Sequence, residues 1–445
     1  MKLAIAAGAA LGVLYTLSPL TVLLLACITP YWMRISRGVS GRERDWLAAL
    51  LVTALALRLA AVAVLFLTAD STHPFNSFFG DEELFKSRTV WLRNIGLGIP
   101  ISKADYIYTF DDVGRTSYQP LLAYLQALFG EAPYGIHVFN VGLYFVAAGV
   151  GYRVVRAAFG GLVAIGTLAG WLFMPSLFMW SVSALREPAH LALAMSGVAC
   201  TIAIVRAPAL LQRGAAVAGV VAVAVVLESL RAGGSIMTAV GVAGGLLLIA
   251  AVRRPAFAAT LAAALLLIVV AVPQLRLRAH QGATAALRYG AFQHAGHLAT
   301  AGYTYPLISG RYYPGRIRVW EMPAQEAYAF GVKAMIAYFT EPVPWRIESR
   351  RMLLYLPEHL LWYVLLALTP WGIAAALRRD VVVTCILLAH AAGAILAVAL
   401  TGGNIGTLIR HRGLALPYIF CFGVAGAIAL LRTALPAEDR HGAGR

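Results

Sequence analysis

Three consecutive carboxylates, Asp81, Glu82 and Glu83, follow Phe78-Phe79-Gly80 shortly after a long apolar run. Clustered acids at a water–membrane boundary can take a proton from an attacking hydroxyl or hold a divalent cation. The plain reading is a solvated acidic turn. A second charged step lies in Leu185-Arg186-Glu187-Pro188, again between apolar runs. On its plain reading it opens a helix with Pro188 in the first turn. On the chemical one, Glu187 joins Asp81 around an acceptor or metal while Arg186 meets a phosphate. The third feature is Gly402-Gly403-Asn404 followed by Arg410-His411-Arg412. Glycines free the backbone, and two guanidiniums flanking an imidazole suit a phosphate or diphosphate.

Weaker features are weighed the same way. His294 and His297 have ligand-like spacing, but no third ligand lies nearby in sequence, so a metal is disfavoured there. Glu228 and Arg231 read as an i,i+3 helix pair. Arg58 interrupts an apolar run, where an ionisable group costs about 2.5–3.5 kcal/mol at mid-helix on insertion scales and therefore requires a partner.

The elements that must position these residues follow from composition. Of 445 residues, 60% are apolar and 13% charged, about half the charged share of a soluble domain. Apolar windows of bilayer-crossing length recur throughout, which makes the chain an all-α polytopic membrane protein and excludes a secreted disulfide scaffold, a DNA-binding module and a disordered tail protein. The net charge of +16 comes from Arg residues that punctuate apolar spans. They encode orientation before they suggest nucleic acid. Leu25-Ala26-Cys27 superficially resembles a lipoprotein cleavage site. The following segment carries Arg34, Arg37, Arg42 and Arg44, however, so it belongs in the cytoplasm and the first span is expected to be retained.

Alternation then gives about eleven spans, near 3–28, 46–68, 135–156, 161–181, 188–205, 214–231, 235–252, 256–273, 353–376, 381–400 and 413–432. Arg153, Arg156, Arg206, Arg213, Arg253, Arg254, Arg378 and Arg379 all fall on the cytoplasmic side, as does a tail over 433–445. Residues 1–445 form a single membrane domain in this reading. Two long loops fall outside: an acidic one over 70–133 and a basic one over 274–350. Loops this long in a compact protein tend to be functional. Both are expected to carry surface helices, the first over Pro120–Gly130 with its apolar residues on a helical period. The same topology puts Arg410 and Arg412 on the external side, where short loops should be poor in Arg, and that favours a chemical role.

Gly80-Asp81-Glu82, followed by Tyr118-Gln119-Pro120 and the Pro120–Gly130 helix, resembles the first external loop of the GT-C superfamily of membrane glycosyltransferases, which includes protein O-mannosyltransferases and aminoarabinose transferases. Arg186-Glu187 resembles the basic-acidic pair that many of these enzymes carry at the second external turn. The resemblance covers residues 46–230 and departs in two ways, an added N-terminal helix and no large C-terminal external domain.

It implies transfer of a sugar, with inversion, from a polyprenyl-phosphate donor to a glycan, lipid or protein acceptor on the extracytoplasmic face of the inner (plasma) membrane. Asp81 would be the base, with Glu82 and Glu187 as further catalytic candidates. Arg186, Tyr118, Arg410, His411, Arg412, Arg316 and Arg318 would bind substrate. A divalent cation, Mg or Mn, would use Asp81 and Glu187 if one binds. The rivals are a polymerase or ligase of lipid-linked oligosaccharides, and a flippase or transporter of lipid-linked sugars.

Overall fold

The computed structural model describes residues 5, 8, 12, 18–69, 77–78, 81–111, 115–130, 134–298, 304–313, 317–346, 353 and 355–434. Among them no strand occurs. One isolated bridge joins Thr304 to Asn404, and the rest of the regular structure is helical. The chain divides into two compact units, Met1–Thr238 and Ala239–Arg445.

The first unit begins with α1 (Pro19–Ile35) and α2 (Gly41–Leu67). Three short helices occupy the expected acidic loop: α3 (Asp81–Gly96), α4 (Lys103–Phe110) and α5 (Tyr118–Phe129). Then come α6 (Gly135–Phe159), α7 (Gly161–Phe173), α8 (Pro175–Ser181), α9 (Glu187–Arg206) and α10 (Leu210–Leu230). Helix α11 (Gly234–Arg253) leads into the second unit, with α12 (Pro255–Ala271), α13 (Pro273–Leu298), α14 (Ala324–Thr340), α15 (Leu356–Arg379), α16 (Val381–Thr401), α17 (Ile405–Arg412) and α18 (Leu416–Ala434).

Among the described residues eight helices, α2, α6, α9, α10, α11, α15, α16 and α18, are long and apolar enough to cross a bilayer, and two bent pairs raise the number to ten. The chain is therefore an integral multi-pass membrane protein. Of the expected span over 3–28, most residues before Ser18 lie outside the described ones. The helix that follows runs on to Ile35, through part of what reads as loop.

Both bent pairs break at an X-Pro step. The expected single span over 161–181 bends by 66° between α7 and α8, and α12 meets α13 at 100°. Proline lacks an N–H and forces the residue before it out of the helical region. Met174 and Val272 are accordingly extended. A break inside a membrane frees carbonyls that water cannot satisfy. At Met174 two neighbouring spans supply the donors: Arg58 Nη2 reaches the Leu172 carbonyl at 2.9 Å and the Tyr144 hydroxyl donates to the Trp171 carbonyl. Arg58 is fully buried, and its Nε also bonds Ser181 Oγ at 2.7 Å, so one guanidinium ties both arms of the bend. Its faces meet the rings of Tyr144 and Phe178 at 5.0 and 4.9 Å. The partner that Arg58 requires is thus a set of carbonyls, a hydroxyl and aromatic faces.

Helix α6 has a polar site at each end. At one end Arg156 pairs with Glu43 at 2.7 Å and Arg153 donates to the Arg37 carbonyl, which joins two segments assigned by their charge to the same side. At the other end is His137, about 28 Å away by helix rise.

In the second unit α15 and α18 pack backbone to backbone. A Cβ on Gly372 would lie 1.8 Å from the Phe422 carbonyl oxygen, and one on Gly426 would lie 2.1 Å from that of Leu368. Small residues allow this approach, which supplies dispersion contact where lipid leaves no hydrophobic drive.

Candidate functional site

The N-terminus of α3 decides which of the three acids faces where. Successive helical residues point about 100° apart, so only one can face the bundle. That one is Glu82, with no exposed surface, while Asp81 and Glu83 are exposed. Glu82 Oε1 accepts from His137 Nε2 and from the Ala184 backbone N–H, both at 2.8 Å, and lies 3.7 Å from the Lys86 ammonium. Oε2 is buried without a hydrogen-bond partner among the described residues. Burial by itself raises the Glu82 pKa. The His137 hydrogen bond and charge, the Lys86 charge and the Ala184 N–H outweigh it and hold the carboxyl below its ordinary value.

This contact docks α3 on the turn over residues 182–186 that precedes α9. Asn140 fixes the same turn, its amide donating to the Ser183 and Leu185 carbonyls at 2.6 and 2.7 Å while its oxygen accepts from the Tyr118 hydroxyl at 2.5 Å. Tyr118 is fully buried, and burial is the main cause that raises its phenol pKa; the nearby Glu187 and Glu82 charges push it the same way. The Phe85 ring lies 6.4 Å from that of Tyr118 and 6.0 Å from the Arg186 guanidinium, which donates to the Leu230 carbonyl at 2.9 Å. Glu187 is 4% exposed and Arg186 half-buried.

Glu82, Tyr118, Arg186 and Glu187, far apart in sequence, are therefore one cluster, and Asp81 stands at its edge on the first residue of α3. His137, Asn140 and Lys86 belong to the cluster too and were missed. The signal was a polar pair three apart, His137 and Asn140, at the start of an apolar helix.

The basic candidates lie in the second unit. Arg412, at the end of α17, is 4% exposed. Its Nε donates to the Tyr338 carbonyl at 2.9 Å, Nη2 donates to the Tyr338 and Glu341 carbonyls, and Nη1 meets His359 Nδ1 at 3.3 Å. The Trp362 ring is 5.2 Å away. Those carbonyls end α14, where the last helical C=O groups lack intrahelical partners and a cation is favourable. Trp362 Nε1 and the Tyr363 hydroxyl satisfy the Phe339 and Thr340 carbonyls at 3.1 and 2.7 Å. Burial lowers the Arg412 pKa to about 10, and it remains a cation at neutral pH.

His411 is buried, Arg410 half-buried and Arg318 exposed, while Arg316 lies outside the described residues. The glycines before α17 are strapped down. The Gly402 carbonyl accepts from His294 Nδ1 at 2.9 Å and from the Tyr305 hydroxyl at 2.6 Å, and His297 Nδ1 bonds the Thr401 carbonyl at 2.8 Å. These histidines thus bind backbone. Among the described residues no group of three or more His, Cys, Asp or Glu side chains could hold a metal ion, and no step below relies on one. Glu228, expected to pair with Arg231, binds the turn that follows α10. Its carboxylate accepts from the backbone N–H groups of Gly233 and Ser235 and from the Ser235 hydroxyl.

Arg412→Ala leaves two carbonyl acceptors, those of Tyr338 and Glu341, without their charged donor at about 1.5 kcal/mol each, so a loss of roughly 3 kcal/mol in stability is expected. Arg412→Lys should recover only part of it, since an ammonium cannot reproduce the planar fork. Thermal unfolding of the detergent-purified protein measures both. A wild-type midpoint in Arg412→Ala would show that the α14 cap is idle.

No protein-family model, curated protein or solved structure matches the chain.

Proposed function

We propose that the chain is an integral-membrane glycosyltransferase of the GT-C kind, moving a sugar with inversion from a polyprenyl-phosphate donor to an acceptor on the extracytoplasmic side of the inner membrane. The observation that carries this reading is the docking of the acidic start of α3 on the Arg186–Glu187 turn through Glu82 and Ala184. That contact sets an exposed carboxylate, Asp81, on an element fixed against a half-buried cation. In the proposed reaction Asp81 takes the proton of the acceptor hydroxyl as that oxygen attacks the anomeric carbon. The bond from that carbon to the phosphate oxygen breaks, and the leaving polyprenyl phosphate keeps the electron pair beside Arg186. Glu187 and Tyr118 stand buried in the same cluster. The chemistry is confined to the first unit, and Arg412, committed to α14, has no part in it.

Orientation follows from α6, whose Arg153–Arg156 end is basic and whose His137 end adjoins the site. A cysteine at Ser102, exposed at the start of α4, is expected to react with an impermeant maleimide in intact cells, and one at exposed Ser40 is not. The reverse pattern would put the site in the cytoplasm.

A transporter of lipid-linked sugars is the rival that the broken helices favour, since transport sites use freed backbone at such breaks. At Met174 the freed Trp171 and Leu172 carbonyls already accept from Tyr144 and Arg58 within the bundle. Purified protein in liposomes with a radiolabelled polyprenyl-phosphate sugar and a candidate acceptor separates the two. Release of polyprenyl phosphate supports transfer. Movement of intact donor across the bilayer without turnover replaces it with transport.

A further inference from the structure

One turn along α9 from Arg186 the first unit buries an imidazole that nothing above uses. His190 lies four residues after Arg186, on the same side of the helix and about 6 Å further along its axis, and its backbone N–H donates to the Arg186 carbonyl at 3.0 Å. The side chain is 5% exposed, and Nδ1 is buried without a hydrogen-bond partner among the described residues. Either placement of the ring proton leaves that atom unsatisfied, as an N–H without an acceptor or as a lone pair without a donor. Buried polar atoms are costly in that state, and folded proteins seldom keep one without a use.

The charges around the ring identify the missing partner. Those that act on His190 are Arg231 and Arg186, both positive, whereas the Glu187 carboxylate acts on Tyr118. Arg231 follows the last residue of α10, and Arg186 Nη1 is held next to it by the Leu230 carbonyl at 2.9 Å. An anion would accept from an Nδ1–H and would meet two guanidiniums whose planar forks suit phosphate oxygens. The start of α9 is also the end of a spanning helix, the level at which lipid phosphates lie.

We infer that His190, Arg186 and Arg231 together hold a phosphate oxyanion, with the His190 Nδ1–H as one of its donors. The inference rests on the transferase reading only where it takes that phosphate to be the polyprenyl donor's.

Farnesyl phosphate, a short isoprenoid monoester, is the probe, titrated by calorimetry into detergent-purified protein with no acceptor present. His190→Leu and Arg231→Gln should each weaken its binding about tenfold or more, the usual worth of a hydrogen bond to a charged group. His190→Asn, whose amide nitrogen stands near the place of Nδ1, should recover part of that loss. In protein labelled with 15N-histidine, the Nδ1 signal missing from His190→Leu should move when the ester is added to the wild type, which a ring that only fills space would not do. If His190→Leu does not fold, the Asn and Arg231→Gln variants carry the same comparison. Inorganic phosphate titrated alone tells the source: affinity within about tenfold of the ester's assigns the site to a free anion, and a wider gap assigns it to a lipid-borne one. Wild-type affinity in Arg231→Gln and in the His190 variants, with an unmoved Nδ1 signal, would overturn the inference. A wild type that binds the ester yet transfers no sugar would remove the transferase reading alone. Unchanged affinity in variants of an active protein would remove the phosphate site alone.

Discussion

Glu82→Ala is expected to destabilise the protein by roughly 3–5 kcal/mol, the usual consequence of removing one partner from a buried ion pair. The Lys86 ammonium, 2% exposed, would be left in the interior without its carboxylate, and His137 and the Ala184 N–H would lose their shared acceptor. Glu82→Gln keeps an acceptor oxygen and should be milder. The acid dependence gives a separate test. Because the folded state holds the Glu82 carboxyl below its ordinary value, it binds a proton less readily than the unfolded chain. The stabilisation is thus fully present above the ordinary carboxylate range and is lost as pH falls through the folded value. Unfolding of purified protein between pH 7 and pH 3 should show that loss in the wild type and a smaller one in Glu82→Gln. Superimposable curves would mean that Glu82 is not the group that titrates.

In the proposed reaction, Asp81→Asn should lower sugar transfer by at least about 10²-fold, the low end of a general-base contribution, and leave donor binding largely intact. Asp81 is exposed, so it can meet an acceptor hydroxyl, which Glu82, buried with Oε1 already shared among three donors, cannot. Glu83→Gln should have a smaller effect, because that residue lies outside the Asp81–Glu82 pair. Initial rates at saturating acceptor, together with donor binding to the same preparations, measure both. Near-normal turnover in Asp81→Asn would remove Asp81 as the base.

Eight to ten of the eleven expected spans have counterparts among the described residues, legible because the bilayer imposes a length that apolar runs meet whatever their partners. The helix expected over Pro120–Gly130 was legible too, as α5 ends at Gly130, whose positive φ of 82° suits a residue without a side chain. What stayed hidden depended on direction or on distant sequence. Hydropathy runs unbroken through Pro175, so the bend at Met174 does not show in a window average. Which of Asp81, Glu82 and Glu83 turns inward depends on helix phase. Arg410 and Arg412 look alike in sequence, yet Arg412 is drawn off by carbonyls more than 70 residues earlier, which no local pattern records. Arg186 and Glu187 stood out by type and position, while their approach to Tyr118 and Glu82 required the fold.

The capping of α14 has a consequence for the order in which the protein matures. The carbonyls at Tyr338, Phe339, Thr340 and Glu341 wait for Trp362, Tyr363 and Arg412, and the ribosome adds the last of these some seventy residues after α14 is made. Through all of that interval the end of α14 is incompletely bonded, and it reaches its final form only when α17 arrives. A nascent chain halted before Arg412 should therefore expose the Tyr338–Glu341 segment to protease, and one halted after α18 has been inserted should protect it.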